Sequence, residues 1–111
     1  MELNEFQKNA EASAFYLGGD KVNCVVYCAL GLAEEAGEVV GKVKKLYRDH
    51  DGVMTAEWQK AIGNELGDTL WYLSTLAARV GLTLEDVAAL NAEKRERRKR
   101  EGTLNGDGDN R

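Results

Sequence analysis

Two acidic stretches hold the side chains best suited to chemistry: Glu34-Glu35-Ala36-Gly37-Glu38 and Glu65-Leu66-Gly67-Asp68. Both lie in segments whose apolar residues recur at three and four, the period of an amphipathic helix. Helical residues three apart share a face, so Glu35 pairs with Glu38 and Glu65 with Asp68. Glu35 falls on the stripe of Cys28, Gly31, Leu32 and Val39, and Glu65 on that of Trp58, Ala61, Ile62, Tyr72 and Leu76. Glu38 and Asp68 sit toward the edges of the same stripes. Four carboxylates therefore project from two apolar faces that should pack together. Two like charges about 4 Å apart cost on the order of 4 kcal/mol at an effective dielectric of 20. Such acids either take up protons or hold cations, and hard oxygen donors at this density suit Mg²⁺, with Mn²⁺ as a substitute. In a chain that is 31% charged, one such Glu would be an ordinary solvated side chain. Two pairs that each interrupt an apolar stripe are not explained that way. Gly37 and Gly67, each inside an acid pair, cost about 1 kcal/mol relative to Ala in a helix, which suggests a close approach to the backbone there.

The elements that must position these acids can be read from the same periodicity. Leu3, Phe6, Gln7, Ala10, Ala14 and Leu17 predict a first helix from residue 3 to about 17, broken by Gly18-Gly19-Asp20. Phe15 and Tyr16 either fill the core or line a pocket. A second helix runs from about Val22 to Arg48 and ends in the turn chemistry of Asp49-His50-Asp51-Gly52. A third opens at Thr55 and reaches about Val80. Past Asp68 it is apolar nearly all round, the mark of a buried helix. Thr83-Leu84-Glu85-Asp86 caps a fourth helix, with Val87, Leu90 and Asn91 facing inward. The fold class is all-α, four long helices in an antiparallel bundle. Two helices near 26 residues would each be about 39 Å long, and a chain of 111 residues can hardly surround the third alone. The bundle is therefore expected to be completed by oligomerisation. The whole chain reads as one domain with a flexible, Gly- and Asp-rich C-terminal tail from about residue 102.

Composition excludes several classes. No run of 18 apolar residues is present, so no membrane span is expected. The acidic, polar N-terminus does not read as a secretory leader, which makes the cytoplasm the expected location. Cys24 and Cys28 are the only cysteines and His50 the only histidine, too few for a zinc site. The cysteines read as small core residues in a reducing compartment. A net charge of −4 argues against a nucleic-acid partner. A di-iron bundle would need Glu-x-x-His pairs, and neither i+3 position is His.

The words Gly31-Leu32-Ala33-Glu34-Glu35-Ala36-Gly37-Glu38-Val39-Val40, Lys42-Val43-Lys44-Lys45 and Glu65-Leu66-Gly67-Asp68 resemble the MazG-like members of the all-α nucleoside triphosphate pyrophosphohydrolases. The segment Asn91 to Arg98 and the tail Gly106 to Arg111 are similar to tails in small phage and bacterial members, so the resemblance covers roughly residues 20 to 111. It implies Mg²⁺-dependent hydrolysis of (d)NTP to (d)NMP and pyrophosphate, with attack at the α-phosphorus, by a homodimer or homotetramer. Carried over residue by residue, it makes Glu35, Glu38, Glu65 and Asp68 metal ligands. Glu34 or one of the ligands would orient or deprotonate the attacking water. Lys45 either reaches the triphosphate or only complements the helix dipole. Tyr72, one turn after Asp68, either contacts base or sugar or packs in the core. Asn91, Lys94 and Arg98 share a face at i, i+3 and i+7 and would form a phosphate grip, while Arg95, Arg97, Lys99 and Arg100 stay solvated. The tail would fold over bound substrate. The competing reading is a catalytically inactive, metal-stabilised helical binding module.

Overall fold

A computed structural model describes residues 1–14 and 21–111, with side chains from residue 24 onward in the second segment. It contains four helices: α1 (Leu3–Ser13), α2 (Lys21–His50), α3 (Ala56–Arg79) and α4 (Leu84–Glu101). No strand occurs among the described residues. α1 is shorter than its apolar pattern predicts. It ends at Ser13, and Ala14 leaves helical geometry with φ −94° and ψ 28°. The expected continuation through Phe15, Tyr16 and Leu17 to the Gly18-Gly19-Asp20 break lies outside the described residues.

α2 and α3 form a long antiparallel hairpin. Its turn uses Asp51 and Gly52 at positive φ, 52° and 75°, a conformation that Asp tolerates and Gly adopts freely. α3 then restarts on Thr55, whose hydroxyl accepts the Trp58 backbone N–H at 3.1 Å. The buried or half-buried face of α2 is Cys28, Gly31, Leu32, Glu35, Val39, Lys42 and Leu46, the stripe its spacing predicts. From Thr69 to Arg79 every residue of α3 is at least half-buried. α3 is central: it packs on α2 along its length and also touches α1 and α4.

Polar side chains fix the other two helices to α3. The buried Gln7 donates to the carbonyls of Ser74 (3.2 Å) and Leu82 (3.0 Å) and accepts from Leu84 N–H (3.1 Å). One amide thus ties α1 to α3, to the turn and to the start of α4. The Glu11–Arg79 pair at 2.6 Å adds a second link between α1 and α3. Thr83 and Asp86 close a reciprocal capping box at the head of α4, as predicted. Beyond that, α4 is exposed apart from Val87, Lys94 and Arg98. Leu90 and Asn91, expected to face inward, are exposed, because α4 meets α1 and α3 only near its first turns.

Few large apolar side chains are fully enclosed. Cys24 and Cys28 are buried, with no disulfide between them, in a cluster with Ala14, flanked by Trp71 and Leu76. The radius of gyration is 16.8 Å, against about 13 Å for a compact chain of this length. No helix is long and apolar enough to cross a membrane.

Candidate metal centre

The antiparallel register of the hairpin puts the middle of α2 beside the middle of α3. Glu35, Glu65 and Asp68 each bring a carboxylate oxygen within 4.8 Å of the others. Glu35 and Glu65 are half-buried and Asp68 is exposed, so the cluster lies in the groove between the helices and opens to solvent. Glu34 and Glu38 are exposed and stand outside this group. Both still act on it. The Glu35 carboxyl is pushed above the usual carboxylate range, first by partial desolvation, then by the charges of Asp68, Glu34, Glu65 and Glu38. All five acids thus feed one negative field centred on Glu35. Lys42 is the nearest compensating cation, with Nζ 3.8 Å from Glu65 Oε1. Its signal in the sequence was its place seven residues after Glu35 on the same stripe.

This donor set fits a hard divalent cation. It is all carboxylate, it is gathered from two helices, and its charge is under-compensated. Mg²⁺ holds oxygens at about 2.0–2.1 Å, so opposite ligands lie about 4.2 Å apart. A spread of 4.8 Å closes onto one ion with small side-chain shifts.

Tyr72 lies one turn beyond Asp68 in the helix interface. Its ring is 5.0 Å from that of Trp71, edge-on, and 6.3 Å from that of Tyr27. It rests on the α2 backbone at Gly31, where an added β-carbon would overlap the ring. The close approach therefore happens at Gly31, one turn before Glu35. At Gly37 and Gly67, where the acid motifs suggested it, no described atom beyond the neighbouring residues and the helix's own backbone comes within 4 Å of where a β-carbon would stand.

The other predicted substrate residues lie in two further places. Lys45 is exposed and lines a cavity of about 610 Å³ at the turn end of the hairpin. Asn91 and Lys94 line a second cavity of about 650 Å³, bordered by none of the acids. There the tail returns to α4. Asp109 accepts from Lys94 Nζ at 3.2 Å and from Arg98 Nη2 at 3.3 Å, and Arg98 also donates to the carbonyls of Gly108 and Asp109. These two cations hold the Asp109 carboxyl below its usual range. Arg98, predicted as one of three residues of a phosphate grip, is buried at 6% exposure, whereas Arg95, Arg97, Lys99 and Arg100 are exposed as expected.

An all-α hairpin that gathers Glu35 from one acidic stretch and Glu65 and Asp68 from the other defines a helical protein with a carboxylate cluster in its groove. More narrowly, residues 27–103 match the MazG nucleotide pyrophosphohydrolase domain, and the chain belongs to that family. It is also similar to the Gene 37 protein of Mycobacterium phage L5, with 40% identity over 114 aligned positions that span all of both chains. No solved structure matches.

Proposed function

We propose that this protein is an Mg²⁺-dependent nucleoside triphosphate pyrophosphohydrolase that converts (d)NTP to (d)NMP and pyrophosphate. The observation that carries the reading is the convergence of Glu35, Glu65 and Asp68 within 4.8 Å, in a chain of the MazG nucleotide pyrophosphohydrolase family. Glu35, Glu65 and Asp68 would hold the ion, with Glu38 at the rim of the same field. When bound, the ion offsets phosphate charge, polarises the attacked phosphorus and acidifies a coordinated water. Glu34, exposed and close enough for its charge to act on Glu35, would orient that water or take its proton. Lys42 relieves Glu65 while the site is empty of substrate and is close enough to turn toward a phosphate oxygen. Positioning and charge compensation are the larger part of phosphoryl-transfer catalysis, and these side chains supply both.

Asn91, Lys94 and Arg98 form an anion grip in this reading, and its two cations, Lys94 and Arg98, are closed here on the Asp109 carboxylate. For it to serve the acids, assembly must bring it to them. The outer face of α2 supports such an assembly: Val26, Leu30, Val40 and Tyr47 are exposed there, and a second copy that covers them would make a homodimer or homotetramer.

The direct test is to incubate the protein with each NTP and dNTP in Mg²⁺ and resolve the products. NMP with pyrophosphate is the expected result. NDP with phosphate means a different bond is cut, and no turnover in any mixture favours a metal-stabilised binding module.

A further inference from the structure

The cavity at the turn end of the hairpin is lined by none of Glu35, Glu65 and Asp68, yet one residue joins it to them. Lys42 lines it and also lies 3.8 Å from Glu65. Leu46, Val53, Trp58 and Ala61 form its apolar wall, and its polar groups include the acids Asp51 and Glu57 as well as Lys42 and Lys45. Trp58 is half-buried, and its indole N–H donates to the Lys42 carbonyl at 3.4 Å, which fixes the ring across the two helices. The volume, about 610 Å³, falls in the ordinary range for a small-molecule site. Trp58 precedes Glu65 by seven residues and Lys42 follows Glu35 by seven. On both helices the cavity is thus two turns, about 10 Å along the axis, from the carboxylates. That is comparable to the length over which a nucleotide separates its base from its phosphate chain.

We propose that this cavity is the nucleoside subsite, with the base against Trp58 and the phosphates directed along the groove past Lys42 to Glu35, Glu65 and Asp68. The assignment rests on the pyrophosphohydrolase reading for the direction of the phosphates. An aromatic side chain set in an apolar wall suits a base, because every base offers a π-face. Lys45 at the margin meets the sugar or the base edge, and not the triphosphate.

The test joins kinetics to a readout that needs no turnover. Trp58→Leu raises KM for nucleoside triphosphates about tenfold or more, with kcat little changed and the rise similar for every base, since stacking does not distinguish them. Ala61→Met fills the cavity without removing an anchor and gives the same KM change if Trp58→Leu does not fold. In a Trp71→Phe background Trp58 is the sole tryptophan. Titration with nucleoside 5′-monophosphates then quenches its fluorescence saturably, and tripolyphosphate leaves it unchanged. Equal quenching by tripolyphosphate, with none from the monophosphates, would make the cavity a phosphate site and overturn the proposal. So would an active wild type whose KM survives both substitutions. If the wild type hydrolyses no nucleotide, the pyrophosphohydrolase reading fails, and the monophosphate titration still decides for or against the subsite.

Discussion

At the scale of single residues, the protonation of Glu35 is the feature with the sharpest consequences. Its carboxyl is held above the ordinary range by desolvation and by Asp68, Glu34, Glu65 and Glu38. The folded chain therefore binds this proton more tightly than the unfolded chain. Between the ordinary carboxylate value and the raised one, stability from this group falls as pH rises, and above that window the full repulsion is present. In metal-free buffer Glu35→Gln should raise Tm at neutral pH and flatten the pH dependence of Tm in the acid range. Mg²⁺ should raise the wild-type Tm and not the variant's, and its apparent affinity should weaken as pH falls into the window, because proton and cation compete. A thermal melt with EDTA or Mg²⁺ at several pH values checks all of this. Glu38→Gln and Asp68→Asn should abolish turnover while far-UV circular dichroism stays helical; full turnover in either would remove that residue from the site. That Glu65 and Asp68 stand together was readable from spacing, since i and i+3 share a face, but the same spacing did not bring Glu38 into the cluster with Glu35. Which of the four would stand closest was not readable. That depends on the register between α2 and α3, and sequence spacing within one helix says nothing about it.

At the scale of elements, the hairpin register is set by a contact that periodicity could not flag. Gly31 lets the Tyr72 ring lie on the α2 backbone, so Glu35, one turn further on, comes level with Asp68. Gly31→Ala forces the ring away, and overpacking of this kind costs roughly 1–3 kcal/mol. In a Tyr72→Leu background the same substitution should be neutral or stabilising, since Ala exceeds Gly in a helix by about 1 kcal/mol. The cycle, read by chemical denaturation, isolates the contact; equal costs in both backgrounds would mean that Tyr72 does not set the register. The caps at Thr55 and Thr83 and the buried stripe of α2 were legible because each depends on residues close in sequence. The end of α1 at Ser13 was not, because Ala14 and Leu17 continue the apolar spacing past it. The exposure of Leu90 and Asn91 was hidden for a related reason. An apolar spacing predicts which face of α4 would be buried, and only tertiary contacts decide whether another element arrives to bury it.

At the scale of the whole molecule, the chain encloses too little. Its radius of gyration of 16.8 Å exceeds the roughly 13 Å of a compact chain this long. Val26, Leu30, Val40 and Tyr47 are each about half or more exposed on the side of α2 away from α3. Large exposed apolar side chains gathered on one helix face suit an interface. Leu30 is exposed at 67% and Val40 at 66%, and neither touches the acid cluster, so charges placed there strain an assembly and not the monomer's own packing. The double variant Leu30→Glu, Val40→Glu should therefore elute as a monomer in size-exclusion chromatography with light scattering, where the wild type runs as a dimer or tetramer. Its helicity should persist, because α2 keeps its buried face against α3. If assembly is what carries the Asn91, Lys94 and Arg98 grip to the acids, the same variant loses turnover while still taking up Mg²⁺ at Glu35, Glu65 and Asp68. A wild type that is itself monomeric at working concentration, with full activity, would mean that one chain completes the site unaided and that the outer face of α2 serves another purpose.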